Sequence, residues 1–108
     1  MNTSAAKLEL CRVDDVPPGQ VMRVETSGLA LAVYNVDGVF YVTSDQCTHG
    51  PGLLSEGFLD GEVIECNFHQ GCFNVRTGEV VAPPCIVPIR TYPVSVENGT
   101  VYIQQVDS

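Results

Sequence analysis

CTHGPGLLSEGFLDGEVIECNFHQG, residues Cys47 to Gly71, is the stretch on which the reading of this chain turns. It opens on Cys47-Thr48-His49 and closes on Cys66-Asn67-Phe68-His69, a C-x-H pair and a C-x-x-H pair separated by the sixteen residues 50 to 65. Both of the chain's histidines are spent in these pairs. A cysteine or a histidine alone reads as an ordinary core or surface residue; two matched pairs read as one ligand set for a metal centre. Between them, Phe58 to Glu65 reads as a hairpin turning at Asp60-Gly61. Such a hairpin would return both loops to the same end of a small sheet. Gly50, Gly52 and Gly71 lie beside the candidate ligands. There a missing side chain lets backbone N–H groups approach sulfur and stabilise added negative charge.

Outward from this stretch the chain is punctuated by turn signals: Ser27-Gly28, Asp37-Gly38, Asp60-Gly61, Thr77-Gly78 and Asn98-Gly99. Each is flanked by residues that favour strands, which predicts successive hairpins. Strands are expected at Lys7 to Val13, Val21 to Thr26, Leu29 to Val36, Val39 to Thr43, Glu62 to Glu65, Tyr92 to Glu97 and Thr100 to Gln105. No apolar period of 3.6 residues is sustained, and Pro17-Pro18, Pro51 and Pro83-Pro84 interrupt any helix. The expected fold is all-β, a small antiparallel sandwich or barrel of short strands, because closure protects sheet edges. Three segments break the strand rhythm: loops at about 46–55 and 66–73, and a stiff Pro-rich loop at 82–88 suited to act as a lid.

At 108 residues the chain has room for one domain, taken as 1–108, and none for a second, catalytic one. Thirteen acidic residues against five basic ones give a formal charge of -8, which argues against nucleic acid or an anionic membrane as partner. A basic protein surface is the natural complement, although acidity also serves solubility. No stretch approaches the roughly 18 apolar residues of a membrane span, and no basic start with an apolar run marks a secretory signal. A cytoplasmic location is therefore expected. Five cysteines in such a chain point to metal ligands or reduced thiols rather than structural disulfides. Cys11, Cys72 and Cys85 read as small buried hydrophobes. Cys72 has two further possible roles, as a disulfide partner or as a replacement ligand for His69.

Two thiolates and two imidazoles suit tetrahedral zinc, but zinc modules usually pair cysteine with cysteine and histidine with histidine. Here each loop mixes the types. A Rieske centre needs that mixture, since both cysteines bind one iron and both histidines the other. On Cys47-Thr48-His49-Gly50, Cys66-Asn67-Phe68-His69-Gln70-Gly71, the Pro83-Pro84 segment and the closing Tyr92-Pro93-Val94 strand, the chain resembles the Rieske ferredoxins of bacterial aromatic-ring-hydroxylating dioxygenase systems. The resemblance implies a sandwich with a cluster-binding subdomain. It also implies one 2Fe-2S cluster held by Cys47, His49, Cys66 and His69, with the histidines on the outer iron.

The implied role is that of a one-electron carrier, not an enzyme. It would pass electrons from a flavin-containing ferredoxin reductase to a terminal oxygenase, and as a collision carrier it should be monomeric. A small Rieske subunit of an assimilatory nitrite reductase is the alternative; a zinc-stabilised interaction module is a further one. Gly52 and Phe68 stand where quinol-oxidising relatives carry disulfide-forming cysteines, which argues against that role. Gly71 and Phe73 stand where high-potential relatives carry a Ser and a Tyr that donate to sulfur. A potential near the lower end of the roughly -150 to +300 mV Rieske span is expected.

Overall fold

A computed structural model describes residues 7–48, 52–67, 71–83 and 87–104. Eleven strands form three antiparallel sheets among these residues. β1 (Lys7–Arg12), β11 (Thr100–Gln104) and β10 (Val94–Glu97) make the first, in the order β1-β11-β10. β2 (Val21–Thr26), β3 (Leu29–Val36), β4 (Val39–Ser44) and β9 (Thr91–Tyr92) make the second, in that order. The third is a run of hairpins, β5 (Phe58–Asp60), β6 (Val63–Glu65), β7 (Cys72–Asn74) and β8 (Val80–Ala82). Helical structure among the described residues is confined to two 3-10 turns, Val13–Asp15 and Leu54–Glu56. The all-β expectation is met, and so are the sandwich and its appended subdomain.

β3 is the wall on which everything packs. Its sequence is a continuous apolar run rather than an alternation, the pattern of a strand covered on both faces. Leu31 and Val33 point into one core with Cys11, Val16, Val42, Tyr92, Val101 and Ile103, which fills the space between the first two sheets. Ala32 and Tyr34 point the other way, into a second core with Cys47, Leu54, Ile64, Cys66 and Phe73. The strand period of two thus sends neighbouring residues of one strand to two different cores.

The hairpin turns follow their sequences. Ser27-Gly28, Asp37-Gly38 and Asn98-Gly99 each close a two-residue loop with both residues at positive φ, as a type I′ turn demands. Four expectations need correction. The β5–β6 hairpin turns at Gly61-Glu62, one residue later than expected, because Asp60 pairs with Val63. The strand expected over Tyr92 to Glu97 is two strands: Pro93 has no N–H to donate, and there the chain leaves the second sheet for the first. Cys72 and Phe73, expected in the second loop, already belong to β7, paired with Glu65 and Ile64. Ala82, placed in the Pro-rich loop, belongs to β8 and pairs with Cys72. β7 and β8 escape a sequence reading because each is only three residues long.

Cys11 lies in the sandwich core, 8% exposed, as expected of a packing residue. Burial, with a smaller contribution from the charge of Asp15, pushes its thiol from 9.0 up to about 11. The folded chain keeps this proton where the unfolded chain has lost it. Its contribution to stability is therefore complete below about pH 9 and is lost as pH rises toward 11. Between those limits the wild type should lose on the order of 2 kcal/mol more than Cys11→Ala. Urea unfolding of both proteins across that pH range checks this; parallel losses would exclude Cys11 as the cause.

Candidate metal centre

Cys47 and Cys66 sit at the bases of two loops that emerge from the same core. Both are almost fully buried, 2% and 1% exposed, among Leu54, Ile64, Phe73 and Tyr34. The two loops are closed in the same manner. The Cys47 N–H donates to the Gly52 carbonyl at 2.9 Å, and the Cys66 N–H donates to the Gly71 carbonyl at 2.7 Å. Each cysteine is thus fixed at its backbone by a bond spanning five residues, and both of these glycines are buried. His49 and His69, the other two candidate ligands, lie outside the described residues, as do Gly50, Pro51, Phe68, Gln70 and Cys85.

The loops are tied to one another and to the third irregular segment. The Leu53 N–H donates to Asn67 Oδ1 at 3.0 Å, joining the first loop to the second. Asn67 Nδ2 donates in turn to Glu56 Oε1 at 3.3 Å. Thr48 Oγ1 donates to the Val87 carbonyl at 2.8 Å, so the described end of the Pro-rich segment lies against the first loop.

The side chain that anchors the first loop carries no sequence signature. Asp45, two residues before Cys47, is completely buried. Its carboxylate accepts from Arg23 Nη1 at 2.6 Å, from the Ser55 N–H at 2.7 Å and from Ser55 Oγ at 2.9 Å. Its backbone N–H donates to the Ala30 carbonyl, and its carbonyl accepts from the Leu54 N–H at 2.8 Å. A buried carboxylate is tolerated when its oxygens are paired in this way, and charge-assisted bonds are the strong ones. Asp45 therefore holds both ends of the loop to the central sheet.

Beneath the loops, Tyr34 and Thr43 are buried without exposure. Thr43 Oγ1 donates to the Ser44 carbonyl at 2.8 Å, which leaves the Tyr34 hydroxyl to donate to Thr43 Oγ1 at 2.8 Å. Burial raises the Tyr34 hydroxyl far above its usual range, and the negative charges of Asp45 and Cys66 add to the rise. Cys72, half-buried on β7, is also raised, by burial first and then by Glu65 and Cys66.

These features correspond closely to known proteins. The family description "Rieske [2Fe-2S] domain" matches residues 6–93. Ferredoxin CarAc of Metapseudomonas resinovorans is 52% identical over 97 residues, covering 89% of this chain and 91% of the relative. The structure of a ferredoxin from Sphingomonas yanoikuyae B1 superposes with a TM-score of 0.90 at 49% identity, covering 94% of this chain and 100% of that one. A chain in a solved complex of reduced oxygenase and oxidized ferredoxin in carbazole 1,9a-dioxygenase is 45% identical, with a TM-score of 0.87. That match covers 96% of this chain and 100% of the other.

Gly57, just before β5, lies against Glu65 at the end of β6. A Cβ there would lie 1.9 Å from the Glu65 carbonyl oxygen, which is backbone and cannot swing aside. Gly57→Ala should destabilise the fold by about 2 kcal/mol or more, since the strand entering Cys66 must shift. Gly38→Ala, at φ +93 with nothing within 4 Å of the new atom, should cost only about 1 kcal/mol from backbone strain. Thermal unfolding of the two variants gives the order directly.

Proposed function

Because the chain belongs to the Rieske [2Fe-2S] domain family, among the Rieske-type ferredoxins, we propose that it is a one-electron carrier of an aromatic-ring-hydroxylating dioxygenase system. In this role it receives electrons from a flavin-containing reductase and delivers them to a terminal oxygenase, without chemistry of its own. The observation that carries the reading is the paired construction of the loops. Two buried cysteines stand in one core, each locked by the same backbone bond, and each is followed within three residues by a histidine.

The donors fit a two-iron cluster. Cys47 and Cys66 are soft thiolate donors in an apolar setting that disfavours bare anions, a cost that coordinated iron removes. We assign these cysteines to one iron and His49 and His69 to the other. When bound, the cluster supplies a site that accepts one electron and returns it. The chain's own part is to hold the sulfurs at the core, through the Cys47 and Cys66 backbone bonds, and to exclude water with Leu54, Ile64 and Phe73. Gly71 has no side chain, and Phe73 is fully buried and apolar. Neither offers a hydroxyl to sulfur, which supports a low potential.

The partner assignment is supported by the carbazole 1,9a-dioxygenase complex, in which a similar chain accompanies its oxygenase. We take residues 1–108 as one domain of a monomeric, soluble cytoplasmic protein; among the described residues no helix is long and apolar enough to cross a membrane.

Electron spin resonance of the dithionite-reduced protein tests the cluster assignment. It should give the low average g of mixed histidine and cysteine ligation, and His49→Ala and His69→Ala should each abolish it. A native signal retained in both variants would refute the ligand set. Thirteen acidic residues against five basic ones should steer encounter with a basic docking face. The rate of electron delivery to a purified oxygenase should accordingly fall severalfold between low and physiological salt. A flat stopped-flow profile would assign the docking to apolar contact.

A further inference from the structure

The register of the central sheet sets Arg23, Ala32 and Thr43 in one row across β2, β3 and β4, with Arg23 paired to Ala32 and Ala32 to Thr43. The next row begins with Glu25 opposite Ala30. Ala30 accepts the Asp45 N–H, which places Asp45 at the far end of that row. The period of two puts all six residues on one face. At these two positions the middle strand carries only alanines, so it places no long side chain between β2 and Asp45. Across it Arg23 reaches from β2 to the residue that begins the Cys47 loop, placing Nη1 2.6 Å from Asp45 Oδ2. Its Nη2 meets the exposed Glu25 at 2.5 Å.

The two contacts of this guanidinium differ in weight. Glu25 is 66% exposed, and water screens such a pair almost completely. Asp45 has no exposure, holds three donors and cannot be solvated if one is removed. Asp45 stands two residues before Cys47 and both residues are buried, so little solvent lies near them to screen the carboxylate. Reduction of a cluster adds one negative charge. A carboxylate left without its counter-charge would oppose that addition.

We propose that Arg23 is a positioning residue for the cluster: through Asp45 it holds the Cys47 loop to the sheet, and its charge offsets the buried carboxylate in the field at the sulfurs. The inference rests on the ligand assignment made above. Arg23 acts through Asp45, with which it pairs directly.

Voltammetry of the purified holoprotein tests it with variants of graded charge. Arg23→Met should lower the midpoint potential, Arg23→Lys should stay near the wild type, and Glu25→Gln should leave it unmoved. Asp45→Asn should raise it, because the carboxylate is gone while the guanidinium remains. Should Asp45→Asn fail to take up a cluster, the contrast between Arg23→Met and Arg23→Lys decides alone, since the lysine variant restores charge without the forked geometry. Arg23→Met with an unchanged potential, or equal shifts in the methionine and lysine variants, would overturn the proposal and reduce Arg23 to a surface ion pair. Failure of the ligand assignment reads differently, as a wild type that lacks the Rieske resonance altogether.

Discussion

The buried carboxylate of Asp45 is the constraint to which the rest of the site answers. A charge in a dry core must be surrounded by donors, and here the donors come from distant parts of the chain: Arg23 on β2 and Ser55 at the end of the first loop. The need to satisfy one side chain therefore stitches the loop to the sheet at both ends. A loop of about ten residues that carried ligands without such a tie would have to lose its conformational entropy at the moment of binding. Here the described ends of the loop are held by bonds within the chain itself.

The second loop is held by different means. Its cysteine follows β6 directly, and Gly71 leads straight into β7, so the hairpin ladder does the work that Asp45 does for the first loop. Asn67 then joins the two loops, receiving the Leu53 N–H. One polar anchor, one hairpin and one amide bridge bring both cysteines to a common apolar floor of Leu54, Ile64 and Phe73. That floor is packed against the Ala32 and Tyr34 face of β3, whose other face belongs to the sandwich. The placement of the site is thereby coupled to the packing of the whole domain through a single strand.

Much of this was legible in the chain. The turn pairs Ser27-Gly28, Asp37-Gly38 and Asn98-Gly99 announce their hairpins because only a few residues accept positive φ at both loop positions. Cys47 and Cys66, with His49 and His69, stand out because ligand chemistry is restricted to few residue types and their spacing is local. The match to the Rieske [2Fe-2S] domain bears out the kind of centre that this spacing announced. Strands of three residues such as β7 and β8 leave too little pattern to detect, and Pro93 hid a change of sheet inside what reads as one strand.

By itself, then, the sequence determined the all-β class, the principal hairpins and the candidate ligands, since each of these depends on neighbours within a few residues. Only the tertiary structure decided that Arg23, Asp45 and Ser55 form one unit, that Gly57 lies against Glu65, and that the two faces of β3 serve two cores. An arginine in a strand and an aspartate before a loop are ordinary surface residues in any one-dimensional reading. What makes them a pair is strand register, which sets residues 22 positions apart side by side across an intervening strand. Register is specified by the burial of whole faces rather than by any local motif.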